Sequence, residues 1–251
     1  MCLIVLAIHP DPTHRLVLIA NRDESYARAT APAAEWEDAP GLIAGRDLRG
    51  GGTWLGVTRS RRFAAVTNFH EGAPPRASAP SRGSLVSEFL KSSETPDEYL
   101  LRLMPEAAEF AGFNLIVGDA SSAVWFANRG PARPVHLEPG IHGLSNHLLN
   151  TPWPKVEIAK RRLASLLNLA PAPDPSDLLD SLHDRTPAPP EEDGSAPSPL
   201  ERALSAAFIV TPEYGTRSTS ALILTASGPG VLAERTYERG SADFSEVRHA
   251  L

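Results

Sequence analysis

The hydrophobic pattern begins at the first residues. Residues 2–9 form an aliphatic, β-branched run that meets its first polar break at His9-Pro10-Asp11-Pro12. An unbroken run of this length predicts a buried strand. A turn at Asp11-Pro12-Thr13-His14 and a second apolar run at residues 15–20 complete a predicted β-hairpin. Short strands are predicted at 41–45, 53–58 and 62–68, with Gly50-Gly51-Gly52 as a flexible bend before the second. Residues 71–81 read as a loop. Helical spacing appears at 84–91, and a second helix is capped by Thr95, with Pro96 at its first position and Glu98 three residues after the cap. That helix is expected to run to about residue 110, with Gly112 as its stop.

Beyond it the pattern predicts a hairpin at 113–118 and 123–128 and a short strand over 140–146. A helix at 154–167 carries Val156, Ala159, Leu163, Leu166 and Leu167 on one face, and a shorter helix runs from an N-cap at Ser176 to residue 182. Residues 185–199 are rich in proline and acidic residues and are expected to form a surface loop. Three further strands are expected at 206–211, 219–226 and 230–237. Strand groups separated by helix pairs, without strict βαβ alternation, argue against a doubly wound parallel sheet. No Gly-rich fingerprint follows the first strand, so a Rossmann nucleotide site is not expected either. The order suits antiparallel sheets covered by helices.

Composition narrows the function. The 251 residues carry 24 basic and 30 acidic side chains, a net charge of −6. That leaves no basic surplus for phosphate contacts, so nucleic acid is not an expected partner. Residues 1–7 are apolar but lack a basic leader, and no stretch reaches membrane-spanning length. A cytoplasmic protein without stable membrane insertion is expected.

There is one cysteine, Cys2. A single thiol makes no internal disulfide and no cysteine-based metal cage. Its position is the informative feature. Removal of Met1 would put a thiol and a free α-amine on one residue. An α-amine with an ordinary pKa of roughly 7.7–8.0 can take the proton of its own side chain, which is the N-terminal-nucleophile arrangement. The bland alternative is a small buried hydrophobe in an apolar strand.

The hairpin sets Asn21-Arg22-Asp23-Glu24 across from the start of the first strand. A guanidinium there can stabilise a thiolate, and a carboxylate can hold the amine; Asp23 and Glu24 are rivals for that role. Asn68 and Asn146 each end an apolar strand, where amides can form an oxyanion hole or simply serve a turn. Arg217 lies in a polar cluster just before a strand.

Taken together, these segments resemble the NRDE family, that of transport and Golgi organisation protein 2. The resemblance is carried by Met1-Cys2-Leu3-Ile4, Asn21-Arg22-Asp23-Glu24, Gly51-Gly52-Thr53-Trp54-Leu55-Gly56-Val57 and Thr67-Asn68-Phe69. Gly143-Leu144-Ser145-Asn146, Thr151-Pro152-Trp153-Pro154-Lys155 and Tyr214-Gly215-Thr216-Arg217-Ser218 extend it to about residue 225. Residues 185–199 match no part of it, and Ser220-Ala221 replaces the more usual Thr-Val. The family is similar to N-terminal-nucleophile hydrolases of the penicillin V acylase and bile-salt hydrolase type. That resemblance implies an α+β fold, a four-layer αββα sandwich in one domain over residues 1–251. It implies Cys2 as nucleophile, with Arg22, Asp23, Asn68, Asn146 and Arg217 around it, cleaving linear amide C–N bonds without a cofactor or metal. It also implies an alternative, a non-enzymatic carrier of haem (heme) or another amphipathic ligand. In that case Cys2, or a histidine such as His9, His70 or His147, is a possible axial ligand.

Overall fold

In the computed structural model, all residues are described except 1, 73–75, 77, 132, 170–172, 190–197, 240 and 242. The chain starts with β1 (Cys2–Ile8), β2 (His14–Ser25), β3 (Thr30–Trp36), β4 (Ala39–Asp47), β5 (Leu55–Thr58) and β6 (Phe63–Asn68). Helices α1 (Arg82–Lys91) and α2 (Pro96–Leu103) follow, then β7 (Phe113–Gly118), β8 (Ala123–Ala127), β9 (Val135–His136) and β10 (Gly140–Leu144). Helices α3 (Pro154–Leu169), α4 (Pro175–Asp180) and α5 (Pro199–Leu204) precede β11 (Tyr214–Thr225), β12 (Val231–Tyr237) and β13 (Phe244–Ala250).

Among the described residues the strands form two antiparallel sheets, ordered β10-β1-β2-β11-β12-β13 and β3-β4-β5-β6-β7-β8-β9. Both faces of the central strands are covered, which is why β1 and β2 read as unbroken apolar runs. Ile4, Leu6, Leu16 and Leu18 face the other sheet and meet Ile43, Val57, Phe63 and Ile116. Leu3, Val5, Val17 and Ile19 face outward onto Val156, Ala159 and Leu163 of α3 and Leu178 and Leu179 of α4. The outer face of the second sheet packs Leu42, Ala64, Leu115 and Val124 against Leu85, Phe89, Tyr99 and Leu100 of α1 and α2. The layers are therefore helix, sheet, sheet, helix, the expected αββα sandwich. No helix among the described residues is long and apolar enough to cross a membrane.

Several boundaries differ from the sequence expectation, each for a local reason. The Thr95 capping box forms as expected, with Thr95 Oγ1 accepting from the Glu98 N–H at 3.3 Å and Glu98 accepting from the Thr95 N–H at 2.9 Å. Helix α2 nevertheless stops at Leu103: Met104 caps it in helical backbone, and Pro105 supplies no N–H to carry the ladder further. Asp174 caps α4, not Ser176: its carboxylate accepts from the Ser176 N–H at 2.7 Å, and Pro175 takes the first helical position. Residues 206–209 are buried but lie outside any strand; the Ile209 N–H donates to Thr216 Oγ1 at 2.9 Å instead of to a ladder. Strands β3 and β13 were not anticipated. Both are edge strands with largely exposed or half-exposed side chains, so neither carries a core-like pattern. Most of the expected 185–199 loop lies outside the described residues.

The Gly50-Gly51-Gly52 bend is a packing device. Gly51 has φ +74°, a conformation that favours glycine. At Gly52 an added Cβ would sit 2.4 Å from the main-chain carbon and oxygen of Gly83, where the start of α1 crosses the approach to β5. Backbone cannot yield as a flexible side chain can. Gly52→Ala is therefore expected to lower unfolding free energy by about 1–3 kcal/mol, read by urea or thermal unfolding.

Candidate active site around Cys2

The site grows from the pairing of β1 with β2, in which Cys2 lies opposite Arg22 and Leu3 opposite Asn21. Strand β2 does not end at residue 20. It continues through the polar stretch to Ser25, and Asn21, Arg22 and Asp23 are all buried. Alternation then divides their work. Asn21 faces the helices, donates to the carbonyls of Leu182 (3.2 Å) and Ala207 (2.8 Å), and accepts from Thr219 Oγ1 at 2.6 Å. Its amide is fully engaged in scaffolding. Arg22 faces the opposite sheet, stacks 4.2 Å above the Trp54 ring, and donates to Thr30 Oγ1 at 3.0 Å.

Asp23 is the carboxylate beside the nucleophile candidate. Its main-chain N–H donates to the Cys2 sulfur. Its carboxylate accepts from Thr216 Oγ1 at 2.7 Å, and its carbonyl accepts from the Tyr214 hydroxyl at 2.9 Å. Burial raises its pKa to about 6, against the opposing pull of Lys155 and the Thr216 hydrogen bond. Glu24 is half-buried and turns to accept from the Ser25 N–H at 2.8 Å. Cys2 itself is half-buried. Burial pushes its thiol up, and the Asp23 charge adds to that, while the Asp23 N–H and Arg22 favour the thiolate.

Strand β1 pairs on its other side with β10, Ile4 opposite Leu144. The ladder and β10 end at that pair, and two residues on the chain turns with φ 52° at Asn146. The Asn146 amide donates to the Asn68 carbonyl at 3.0 Å, and its own carbonyl accepts from the His70 N–H at 2.8 Å. Asn68 and Asn146 thus meet where the two sheets approach one another. An amide nitrogen carries two N–H groups, so Asn146 keeps one beyond the bond to Asn68. Arg217 stands one layer back. It occupies a bulge in β11, between Thr216 opposite Asp23 and Ser218 opposite Arg22. Its guanidinium donates to the carbonyls of Ser25 (3.0 Å), Tyr26 (3.3 Å) and Arg28 (3.0 Å), so it holds the turn after β2.

Three charged residues near the site were not anticipated. Lys155, in the first turn of α3, is only 9% exposed; it donates to the Leu204 carbonyl at 3.0 Å and lies within electrostatic reach of Asp23 and Cys2. A signal existed, because Lys155 falls four residues before Ala159 and so shares the apolar face of its helix. Arg82, at the start of α1, donates to the Gly112 carbonyl at 3.0 Å and also feels Cys2; nothing in its local pattern marks it. Glu234 of β12 is buried between the sheets. It accepts from the Ala33 N–H at 2.7 Å and from the Ser220 hydroxyl at 3.2 Å.

The three histidines singled out as possible ligands lie at the surface. His9 is exposed at the far end of β1. His70 and His147 are exposed near Asn146, and His147 stacks on Phe69 at 5.2 Å and meets Trp153 edge-on at 6.4 Å. Among the described residues, no group of three His, Cys, Asp or Glu side chains is arranged to hold a metal. Two cavities lie elsewhere: one of about 720 Å³ over α3 and α4, and one of about 220 Å³ between His9, Phe63 and Leu137.

Comparison with known proteins places this arrangement. The model of the family Transport and Golgi organisation 2 matches residues 1–239. The chain belongs to that family. It is 34% identical over 259 residues to the Transport and Golgi organization protein 2 homolog of Homo sapiens, covering 94% of this chain and 93% of the human one. Transport and Golgi organization protein 2 of Drosophila melanogaster is 29% identical over 185 residues, 66% of this chain and 65% of the fly protein. Among solved structures, the conjugated bile acid hydrolase of Clostridium perfringens, described as the mutant C2A, superposes with a TM-score of 0.53. It is 10% identical in sequence and covers 98% of this chain and 92% of that one. This likeness is one of fold: the family member has the sandwich of an N-terminal-nucleophile hydrolase.

The buried carboxyls make stability depend on pH. Burial raises the Glu234 pKa to about 7, against an ordinary 4.5. A raised carboxyl favours the folded state fully below the unfolded value and loses that contribution as pH rises through the folded one. Between pH 4.5 and 8 the chain should lose about 3 kcal/mol through Glu234. Glu234→Gln keeps an acceptor for the Ala33 N–H and should lack that loss, as read by urea unfolding across the range.

Proposed function

We propose that this chain is an N-terminal-nucleophile amidohydrolase that cleaves linear amide C–N bonds. Cys2 is the nucleophile, and its own α-amine, released by removal of Met1, is the base. The observation that carries the reading is the setting of Cys2. It heads an otherwise buried strand, opposite Arg22, with the Asp23 N–H on its sulfur. A cysteine needed only for packing would not call for a buried Arg and a buried Asp at the same strand end. The fold shared with a hydrolase described by a substitution at its second-position cysteine agrees with this reading.

The chemistry follows from the groups present. The sulfur attacks the amide carbonyl carbon as the thiol proton passes to the α-amine. The remaining Asn146 N–H is one donor for the oxyanion, with Asn68 at its side. As the C–N bond breaks, the ammonium returns the proton to the leaving nitrogen, and a thioester remains on Cys2. Water then attacks the thioester, loses a proton to the α-amine, and releases the acid while the sulfur recovers its proton. Arg22, insulated by Trp54, favours the thiolate without competing water.

Intact-mass measurement should show loss of Met1, and the processed chain should hydrolyse members of a panel of N-acyl p-nitroanilides. Cys2→Ala should abolish turnover. Asn146→Gly, which accepts the same left-handed backbone, should lower kcat by roughly 10²–10³. Retention of Met1, or equal turnover by Cys2→Ala, would remove the reading.

A second reading, binding of an amphipathic ligand such as haem, is favoured by one feature. The Phe69, His147 and Trp153 rings cluster beside the two asparagines, and Trp153 is 43% exposed. On this reading, haemin titration gives a saturable Soret change that His147→Ala or Cys2→Ala weakens. An unsaturable response, or one indifferent to both substitutions, counts against it.

A further inference from the structure

An open sheet edge is a template for another strand, and folded chains usually blunt it. Among the described residues the two sheets have four edges, and three are blunted. Strand β3 contains Pro32 and breaks register with β4 between Ala31 and Ala34 and again between Glu35 and Trp36. Strand β9 is two residues long and follows Pro134. Strand β10 is covered by the chain after it: the Gly143 N–H donates to Asn150 Oδ1 at 2.9 Å, and the Gly143 carbonyl accepts from the Asn150 N–H at 2.7 Å. Strand β13 has none of these devices. It pairs with β12 over all seven of its residues, from Phe244 opposite Tyr237 to Ala250 opposite Val231, with no register shift and no proline. The phase of that ladder shows which groups are free. The Leu251 N–H donates to the Gly230 carbonyl at 3.0 Å, so the bonds to β12 alternate through His249, Val247 and Ser245. The main-chain groups of Phe244, Glu246, Arg248 and Ala250 point away from β12. Among the described residues one bond reaches this row, from the exposed Arg59 guanidinium to the Ala250 carbonyl at 3.4 Å. The row also carries an exposed aromatic ring, Phe244 at 48%.

We propose that β13 is a self-association surface, on which a second copy of this chain adds its own β13 antiparallel about a two-fold axis at Val247. Charge selects that register. Only the outward row can exchange main-chain bonds between copies. An axis at Glu246 would set that carboxylate against its own counterpart, and an axis at Arg248 would do the same with two guanidinium groups. An axis at Val247 sets Glu246 opposite Arg248 twice and Phe244 opposite Ala250 twice. Opposite charges across a strand pair stabilise it, and like charges destabilise it. Axes nearer either end pair fewer residues. The two side chains are already held in place, since Glu246 accepts from Arg235 Nε at 2.8 Å and from Arg248 Nε at 2.7 Å. The charges that guard this edge against foreign strands therefore admit its own copy. The contact is isologous and closes on itself, joining two sheets edge to edge without leaving β13 open to a third strand.

The test is sedimentation velocity of the full chain between roughly 1 µM and 1 mM, where an interface of this small size dissociates. Wild type should pass from monomer to dimer across that range. Arg248→Pro removes an outward N–H without taking a bond from the ladder to β12, and should give a folded monomer. Arg248→Glu sets carboxylates opposite one another and should weaken dimerisation by about 10-fold or more. Glu246→Arg should weaken it likewise, and a mixture of these two variants should form a heterodimer, because both opposite-charge pairs are then restored. Hydrogen exchange at the Phe244, Glu246 and Arg248 amides should slow with concentration in wild type and not in Arg248→Pro. If Glu246→Arg does not fold, Arg248→Glu at two salt concentrations carries the charge argument: added salt should strengthen its association and weaken that of wild type. A wild type that stays monomeric to the highest concentration, or a dimer that Arg248→Pro and Arg248→Glu leave unchanged, would overturn the proposal.

Discussion

The register between β1 and β2 governs the rest of the site. With Cys2 opposite Arg22, the sulfur and the guanidinium fall on the face between the sheets, while Asn21 and Asp23 fall on the face under the helices. A slip of one residue would exchange these faces, putting Asp23 against Trp54 and Arg22 under α3. The register is held by the apolar pairs that follow, Ile4 with Ala20 and Leu6 with Leu18 among them, every one of which would also change face. Core packing and the facing of Asn21, Arg22 and Asp23 are thus fixed by one choice of pairing.

The two faces then solve the problem of buried charge differently. Between the sheets, Arg22 has an aromatic face and a hydroxyl, and Glu234 has a main-chain N–H and a hydroxyl. Beneath the helices, Asp23 has the Thr216 hydroxyl and Lys155 has the Leu204 carbonyl. Neither arrangement is a tight surface-style ion pair. Each charge is matched by hydrogen bonds with fixed backbone or short hydroxyls, which cost little entropy to order. The Glu234 bond to Ala33 has a companion, since His249 meets the Ala33 carbonyl at 3.0 Å. Both main-chain groups of one residue in the second sheet are therefore captured by the first. The opening between the layers is tied at this end by polar contacts where apolar contacts tie it elsewhere.

Much of this was readable from the chain alone. The continuous apolar runs gave the hairpin, and the hairpin put residues 21–24 across from Cys2. The Thr95 and Glu98 spacing gave a capping box that forms as written. What could not be read depends on distant chain. Residues 21–25 look like a strand meeting solvent. Asn21 and Asp23 are buried there because Leu182, Ala207, Thr216 and Thr219, remote in sequence, arrive to bond them. Arg217 reads as a residue that either faces the site or serves a hairpin loop, and its hydrogen bonds go to the turn after β2. Lys155 was hidden by its type, since a lysine on an apolar helical face is easily taken for the edge of that face. The edge strands β3 and β13 lack a core pattern because half their environment is solvent.

The bulge at Arg217 has a consequence for chain length. Counting back from Ser218 in a regular ladder would set Thr216 on the same face as Ser218, between the sheets. The extra residue turns Thr216 to the helix side, where it meets Asp23. Loss of a single residue here would leave the core strands of β11 intact and yet rotate its first three residues to the wrong side. Substitution of Arg217 changes a side chain, whereas its deletion changes what every preceding side chain of the strand can touch. This short stretch should therefore drift in composition before it drifts in length, and a relative one residue shorter between Tyr214 and Ser218 must anchor its counterpart of Asp23 by some other route.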